Sequence, residues 1–544
     1  MPGALESLRD AVEAACGSVL DGHGAPPSAP SLERPKQASF GDYSTNAAML
    51  LAPSLGAPPR EIAERIGGAL QERLGAGLER WEVAGPGFVN LVLADAWYRD
   101  ALDGVIAAGA TFGRGGAASP ERLLVEFVSA NPTGPLTAAS GRHAAYGDAL
   151  ARVLAFHGHV VEREYYMNDG GSQMRRLGES IRARARGEQV PEGGYEGDYV
   201  RELAAEIPDA ADGDPDDLAR RGAELMVERI RVTLERFGVR FDAFASERAL
   251  YEGDPSPVGR AQALLEEAGH LYRSEGALWL RTTAFGDDKD RVLERSSGEP
   301  TYFASDVAYH LVKRERGFDR LIDVFGADHH GYVGRMKALF AALGADPAKL
   351  EILIMQFVHL VEGGGRTSMS KRRGEFVTLD ELVELIGVDA ARWFLLARSH
   401  DTTVDLDLDL AQEQSSENPV YYVQYAHARI SSLLDRAGDR RVEEALEATA
   451  APYGRLHPAE RELLKRVIAF PGEIAEASDR RAPQRIPAYA LELAQDFTAF
   501  YRDCKVVGAE PRETESLRLA LCVATRQTIA SALGLLGVGA PDSM

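Results

Sequence analysis

The feature that most limits the fold is an alternation beginning at residue 121. Apolar strands LLVEFVS, VVEREYYM, LIDVFGA (321 to 327) and LEILIMQFV (350 to 358) are set apart by helix-length segments, two of them at about 139 to 157 and 173 to 187. Parallel strands need a long crossover between them, so this alternation predicts a doubly wound α/β core with a parallel sheet. An acidic, Gly/Asp-rich stretch at 188–222 reads as an insertion around a short helix. Ahead of the core, residues 3 to 21 read as an amphipathic helix, a Pro/Gly/Ser stretch runs from Gly22 to Pro35, and a helix is expected from about Pro59 to Leu74. WEVAGPGFVNLVL reads as two strands hinged at Gly85-Pro86-Gly87, closing an α+β module before the linker GRGGAASP (113 to 120). After about residue 411 strand signals stop. Helical periodicity runs to the end, starting with PVYYVQYAHARISSLLDRA (419 to 437). The expected division is 1–115, 116–410 and 411–544.

Composition narrows the class. The 544 residues are 45% apolar and 26% charged, as in a soluble globular protein. No apolar run reads as a membrane span and no leader is apparent, so a cytoplasmic protein without a membrane partner is expected. Cys16, Cys504 and Cys522 lie far apart with no CxxC spacing, which argues against a disulfide framework or a structural metal and makes them small buried residues. A net charge of −22 weighs against a general nucleic-acid binder, although local charge decides that question. Basic clusters stand at Lys371-Arg372-Arg373, Lys465-Arg466 and Arg480-Arg481 with Arg485; solvated helix faces explain them equally well.

In an open parallel sheet, ligands bind at the carboxyl ends of the strands near the switch in strand order. Four segments place polar residues at such junctions: Glu126 and Asn131 in EFVSANPTG, Asn168 and Asp169 in YYMNDGGSQM, Tyr302 and Asp306 in PTYFASDVAYHL, and Gly326, Asp328, His329 and His330 in FGADHHGYVGR. Each has an ordinary alternative, such as turn chemistry for Asn-Asp-Gly-Gly or an N-cap role for Asp306. A fifth segment, RTSMSKRRGEFVTLDEL (366 to 382), is a small-residue loop with a basic tip, entering a helix capped by Thr378 or Asp380. A lysine there suits a transition state in which phosphate charge develops, and a solvated basic loop is the alternative.

SMSKR resembles the KMSKS signature of class I aminoacyl-tRNA synthetases. EFVSANPTGPL, EYYMNDGGSQM, TYFASDVAYHL, GADHHGY, FGDYSTNAA and LRLALCVATRQTIASALGLLGVGAPDSM resemble the arginyl-tRNA synthetase family of bacterial type, in order along nearly the whole chain. The resemblance implies a Rossmann-like class I catalytic core, an N-terminal α+β module on the outer corner of the tRNA, and an all-α anticodon-binding domain. It implies a monomer acting on L-arginine, tRNA(Arg) and Mg-ATP as substrate, with no tightly bound metal or prosthetic group, and a first step that needs bound tRNA. By the same resemblance Glu126, Asn131, Tyr302 and Asp306 hold arginine. Gly326, Asp328, His329, Met369, Ser370 and Lys371 meet ATP, with Lys371 catalytic, and Tyr425, Arg429 and Arg372 meet tRNA. A cationic substrate would also account for Glu126, because an acid inside an apolar strand is costly unless paired. Tyr421 and Tyr422 beside Tyr425 could stack bases or pack in the core.

One departure stands out. The family's other signature, His-Ile-Gly-His or a near variant, is replaced by Thr137-Ala138-Ala139-Ser140. Either the phosphate contacts are rebuilt from Thr137, Ser140, the helix N–H groups and His143, three residues past Ser140 on the same face, or the chain is an activation-deficient, synthetase-like tRNA-binding protein. The family members that lack the lysine matching Lys371 carry one before the first signature. This chain has Lys371 and no lysine in NPTGPL, so the active enzyme is the expected reading.

Overall fold

The computed structural model describes residues 3–21, 28–329, 331–367, 377–447 and 455–544. Five strands form the expected sheet: in chain order Arg122–Glu126, Val160–Met167, Ala243–Ser246, Arg320–Gly326 and Leu350–Met355. All four pairings are parallel. Across the sheet the order is fifth, fourth, first, second, third, so the topological switch lies between the first and fourth strands, where Glu126 pairs in register with Asp323. Leu123, Leu124 and Val125 are all buried, as befits a strand covered on both faces.

The crossover from the first strand to the second is the helix Ala138–His157. Gly147 lets it lie close to the sheet, since a Cβ there would stand 2.1 Å from the Phe127 ring. Between the second and third strands come the helices Ser172–Ala185, Asp198–Glu206 and Pro215–Arg236. The short helix expected in the insertion is Asp198–Glu206. Residues 215–222, however, begin a 22-residue helix capped by Asp214. Its surface is so rich in Asp and Arg that the buried stripe of Leu218, Ala219, Met226, Ile230 and Leu234 was masked in the composition. Before the fourth strand stands a feature the sequence did not suggest, an antiparallel sheet of Leu271–Ser274, Ala277–Leu280 and Arg291–Glu294. Its four-residue strands are too short and polar to show a clear period.

The N-terminal elements pack the helices Ala4–Leu20, Ala47–Leu55 and Pro59–Leu74 on an antiparallel sheet whose hairpin, Leu78–Ala84 and Phe88–Leu93, turns at Gly85–Gly87. A helix Asp95–Ala108 precedes the linker. Beyond the strand Val404–Asp407 the elements among the described residues are helices, Pro419–Ala437 and Arg512–Leu536 among them. This last helix is apolar and long enough to cross a membrane by length and composition, which the sequence reading did not register. Leu519, Cys522, Ile529 and Leu533 on it are buried in the helical core. All three cysteines are buried.

Candidate active site

Three of the four polar segments sit at carboxyl ends of core strands, after Glu126, Met167 and Gly326. The fourth does not. Tyr302 and Asp306 lie in the first two turns of the helix Tyr302–Glu315, with Thr301 at its N-cap position. They reach the site from the crossover into the fourth strand, and Asp306 is not a cap.

The loop after Glu126 is held under strain. Val128 has φ 67° and Ser129 φ 43°, a conformation costly for a β-branched residue and found where surroundings over-determine it. Ser129 Oγ donates to Glu126 at 2.8 Å and accepts from the Tyr166 N–H at 3.1 Å. Tyr165 Oη donates to the Ala130 carbonyl, and Tyr199 of the Asp198–Glu206 helix donates to that of Thr133. The insertion thus braces the NPTG turn. Asn131 donates to Gln173 at 2.8 Å, which in turn bonds Asn168. Asp169 accepts from Ser246 and the Arg248 N–H, a structural use.

Glu126 is buried, and its cation is not left to a substrate. Lys313, fully buried, donates to Glu126 and, at 2.8 Å, to Asp323. Burial raises the Glu126 pKa, partly opposed by Lys313. For Asp323 the opposing effect of burial is outweighed by Lys313 and His310, which hold it below its ordinary range. The expectation that a bound cation explains Glu126 is therefore corrected: Lys313 explains it.

Asp306 is different. Among the described residues its half-buried carboxylate makes no hydrogen bond or ion pair, and burial with the nearby Glu247 and Glu126 pushes its pKa up to about 6 against the pull of His310 and Arg335. Glu247, which the sequence reading missed, is buried beside it. One oxygen accepts from Ser305 at 2.8 Å, and the other has no partner among the described residues. Burial raises its pKa too. Neither acid makes an ion pair among the described residues; Glu247 lines a cleft of about 500 Å³ together with Gly171, Tyr251, the exposed Tyr302, and Arg248 and Arg295, which pair with Glu252 and Glu299. Such an environment selects a cation, and a planar guanidinium can bridge two carboxylates.

At the other side of the switch, Thr137 caps the Ala138–His157 helix. Its hydroxyl accepts the Ser140 N–H and lies 3.2 Å from the Ser140 hydroxyl. Ala138 N–H goes to the Val377 carbonyl and Gly141 N–H to that of Thr137, so among the described residues the expected open helix N-terminus narrows to the Ala139 N–H. His143 turns toward the sheet: a Cβ on Gly326 would stand 4.0 Å from His143 Cε1 and 2.7 Å from Asp328 Oδ1. At the carboxyl end of the fourth strand Gly326 thus has Asp328 Oδ1 close against it and the edge of the His143 ring beside it.

Met369, Ser370, Lys371, Arg372 and His330 lie outside the described residues, and only the backbone of His329 is described, in a turn at Ala327–His329. The described end of the fifth segment, from Val377, nevertheless meets the Thr-Ala-Ala-Ser turn. Besides the Ala138–Val377 bond, Leu379 N–H donates to the Leu136 carbonyl and Thr137 bridges Thr378. Thr378, not Asp380, caps the following helix Leu379–Leu396, in a capping box with Glu381. In the helical region Tyr425 is exposed, stacked on Tyr421, with Arg429 over its ring and that of Tyr501. Tyr422 is tied inward to Thr498.

Three family models match the chain: the arginyl tRNA synthetase N terminal domain over 6–93, the class I (R) tRNA synthetase catalytic domain over 202–432, and the DALR anticodon binding domain over 423–544. An arginine–tRNA ligase of Frankia alni is 47% identical and one of Kineococcus radiotolerans 45% identical, each alignment covering 99% of both chains. The chain belongs to the arginyl-tRNA synthetase family. Solved arginyl-tRNA synthetases share its fold, that of Thermus thermophilus with a TM-score of 0.77 at 24% identity over 99% of this chain and all of the other, and that of Plasmodium falciparum with 0.77 at 17% over the full length of both. In this synthetase the Thr-Ala-Ala-Ser turn falls in the stretch 94–201, outside all three family-model matches, whereas the two relatives align across nearly the whole chain.

Proposed function

We infer that this synthetase attaches L-arginine to tRNA(Arg) at the expense of ATP, with the lost signature histidines replaced by a site built on Thr137, Ser140 and His143. In the first step the arginine carboxylate attacks the α-phosphorus of Mg-ATP; the bond to the β-phosphate bridge breaks and pyrophosphate leaves. In the second, the 2′-hydroxyl of the terminal adenosine attacks the carbonyl carbon, gives up its proton, and AMP leaves. Asp306 with Glu247 takes the guanidinium, Tyr302 walls the cleft, and Asn131 orients the substrate from the first loop. Glu126 lends field more than contact. The adenosine lies over Gly326 with Asp328 and His329 on its flank. Met369, Ser370 and Lys371 meet ATP, with Lys371 supplying charge to the phosphates as it develops.

The division into 1–115, 116–410 and 411–544 gives an outer-corner module, a catalytic domain and an anticodon-binding domain. Tyr425 and Arg429 offer a stacking edge to an unpaired base, and Arg372 a phosphate contact. The enzyme works as a cytoplasmic monomer with no membrane and no tightly held metal.

The observation that carries this reading is the pair of buried acids, Asp306 and Glu247, neither of which makes an ion pair among the described residues. The test is charging of bulk tRNA with each amino acid in turn. Arginine alone should be attached; tRNA bound in a salt-sensitive way with nothing attached would leave the activation-deficient reading in its place.

A further inference from the structure

Behind the two acids runs a chain of buried polar contacts that no step of the reaction uses. Lys313 donates to Glu126 on the first core strand and to Asp323 on the fourth, and its ammonium lies 4.3 Å from the centre of the Tyr309 ring. The other oxygen of Asp323 meets His310 Nε2 at 3.0 Å, and His310 Nδ1 meets the backbone carbonyl of Asp306 at 2.8 Å. Lys313, His310, Asp306 and Tyr302 fall on one face of one helix, at the spacings that place side chains in a row. The chain thus runs from the end of the first strand, across the switch point, to the peptide of Asp306.

We propose that Lys313 is a positioning residue for arginine: it pins the two strands that flank the switch point and, through Asp323 and His310, sets where Asp306 stands. Two features separate this from core packing. A buried ammonium is costly, and replacing such a pair with apolar side chains is often neutral or stabilising, so stability alone does not explain its presence. Its contacts also end on the backbone carbonyl of Asp306, whose carboxylate makes no ion pair among the described residues. Lys313 reserves Glu126 for the fold and leaves Asp306 and Glu247 for the substrate. The inference rests on the arginine-charging reading above.

The test uses the full-length protein in tRNA charging, varying arginine at saturating ATP and then ATP at saturating arginine. Lys313→Met should raise the KM for arginine about tenfold or more while the KM for ATP stays within about twofold. Lys313→Met with Asp323→Asn, which neutralises one stranded carboxylate, should recover Tm without recovering the arginine KM. A folded variant with an unchanged arginine KM, or with both KM values raised alike, would overturn the assignment. So would a double variant that cannot fold, since Lys313 would then serve the fold first. Wild-type protein that charges no arginine would sink the proposed function itself, whereas normal wild-type charging beside an unaffected Lys313→Met sinks only this inference.

Discussion

Asp306 concentrates the physical chemistry of the site. With its pKa pushed up to about 6, it is ionised at neutral pH and takes a proton just below. A guanidinium needs the ionised form, so kcat/KM for arginine should fall about tenfold per pH unit below 6, while the ATP dependence holds. The sign for stability is opposite to that of a salt-bridged acid. The folded state holds this proton more tightly than the unfolded chain, so stability is lost as pH rises through about 6. Asp306→Asn should therefore raise the Tm of the ligand-free protein at pH 7 while abolishing arginine charging, and a lowered Tm would contradict the raised pKa. Glu247→Gln should raise the arginine KM about tenfold or more with little effect on that for ATP. Equal effects on the two would remove Glu247 from the pocket. At this scale the sequence was partly legible. Asp306 and Tyr302 were found because they sit in a recognisable segment at helical spacing. Glu247 was missed because FASERALY has no period or motif to mark an acid as buried, and Lys313 because its significance lies in partners on two distant strands.

Among the elements, the Ala138–His157 helix matters most. Its start was legible from Gly/Pro punctuation. What positions it was not: Arg142, fully buried, donates to the carbonyls of Gln356, Phe357, Ser399 and Thr402, all more than 200 residues away in sequence. Burial brings its pKa down to about 10, still far above neutral. It therefore fastens the signature helix to the end of the fifth strand and to the turn that follows the Leu379–Leu396 helix. Arg142→Met should cost about 3 kcal/mol, because four carbonyls lose their donor, and unfolding in urea would measure it. A change below about 0.5 kcal/mol would mean that water or relaxation satisfies those groups. Open strand-to-helix junctions were visible in the sequence, but the origin of the Tyr302–Asp306 helix in a crossover was not, because the short polar strands before it carry no clear alternation.

Across the whole molecule, the signature helix is also tied to the C-terminus. Arg392, fully buried, donates to Asp148 of that helix at 2.6 Å, to the Leu536 carbonyl at 2.6 Å and to that of Phe237 at 3.0 Å. Gly537 permits this approach, since a Cβ there would stand 2.5 Å from the guanidinium carbon. Basic clusters that suggested a nucleic-acid track are largely spoken for: Lys465 pairs with Asp42, Arg466 with Asp496, Arg480 with Glu476, Arg481 with Glu351 and Arg485 with Glu473. On a surface with a net charge of −22, tRNA binding calls for a narrow basic track and should weaken as salt rises. Arg429→Ala, which removes the cation between Tyr425 and Tyr501, should weaken tRNA binding about tenfold, and Arg480→Ala should leave it within about twofold. The reverse order in a filter-binding titration would move the interface to the other face of the helical region.

We propose that the Thr-Ala-Ala-Ser turn is a working phosphate site completed by His143. The most direct measurement is arginine- and tRNA-dependent ATP–pyrophosphate exchange by the wild type and by His143→Ala. The wild type should exchange readily and the variant should lose about a hundredfold or more, with the arginine KM little changed. Exchange that is undiminished by His143→Ala would contradict it.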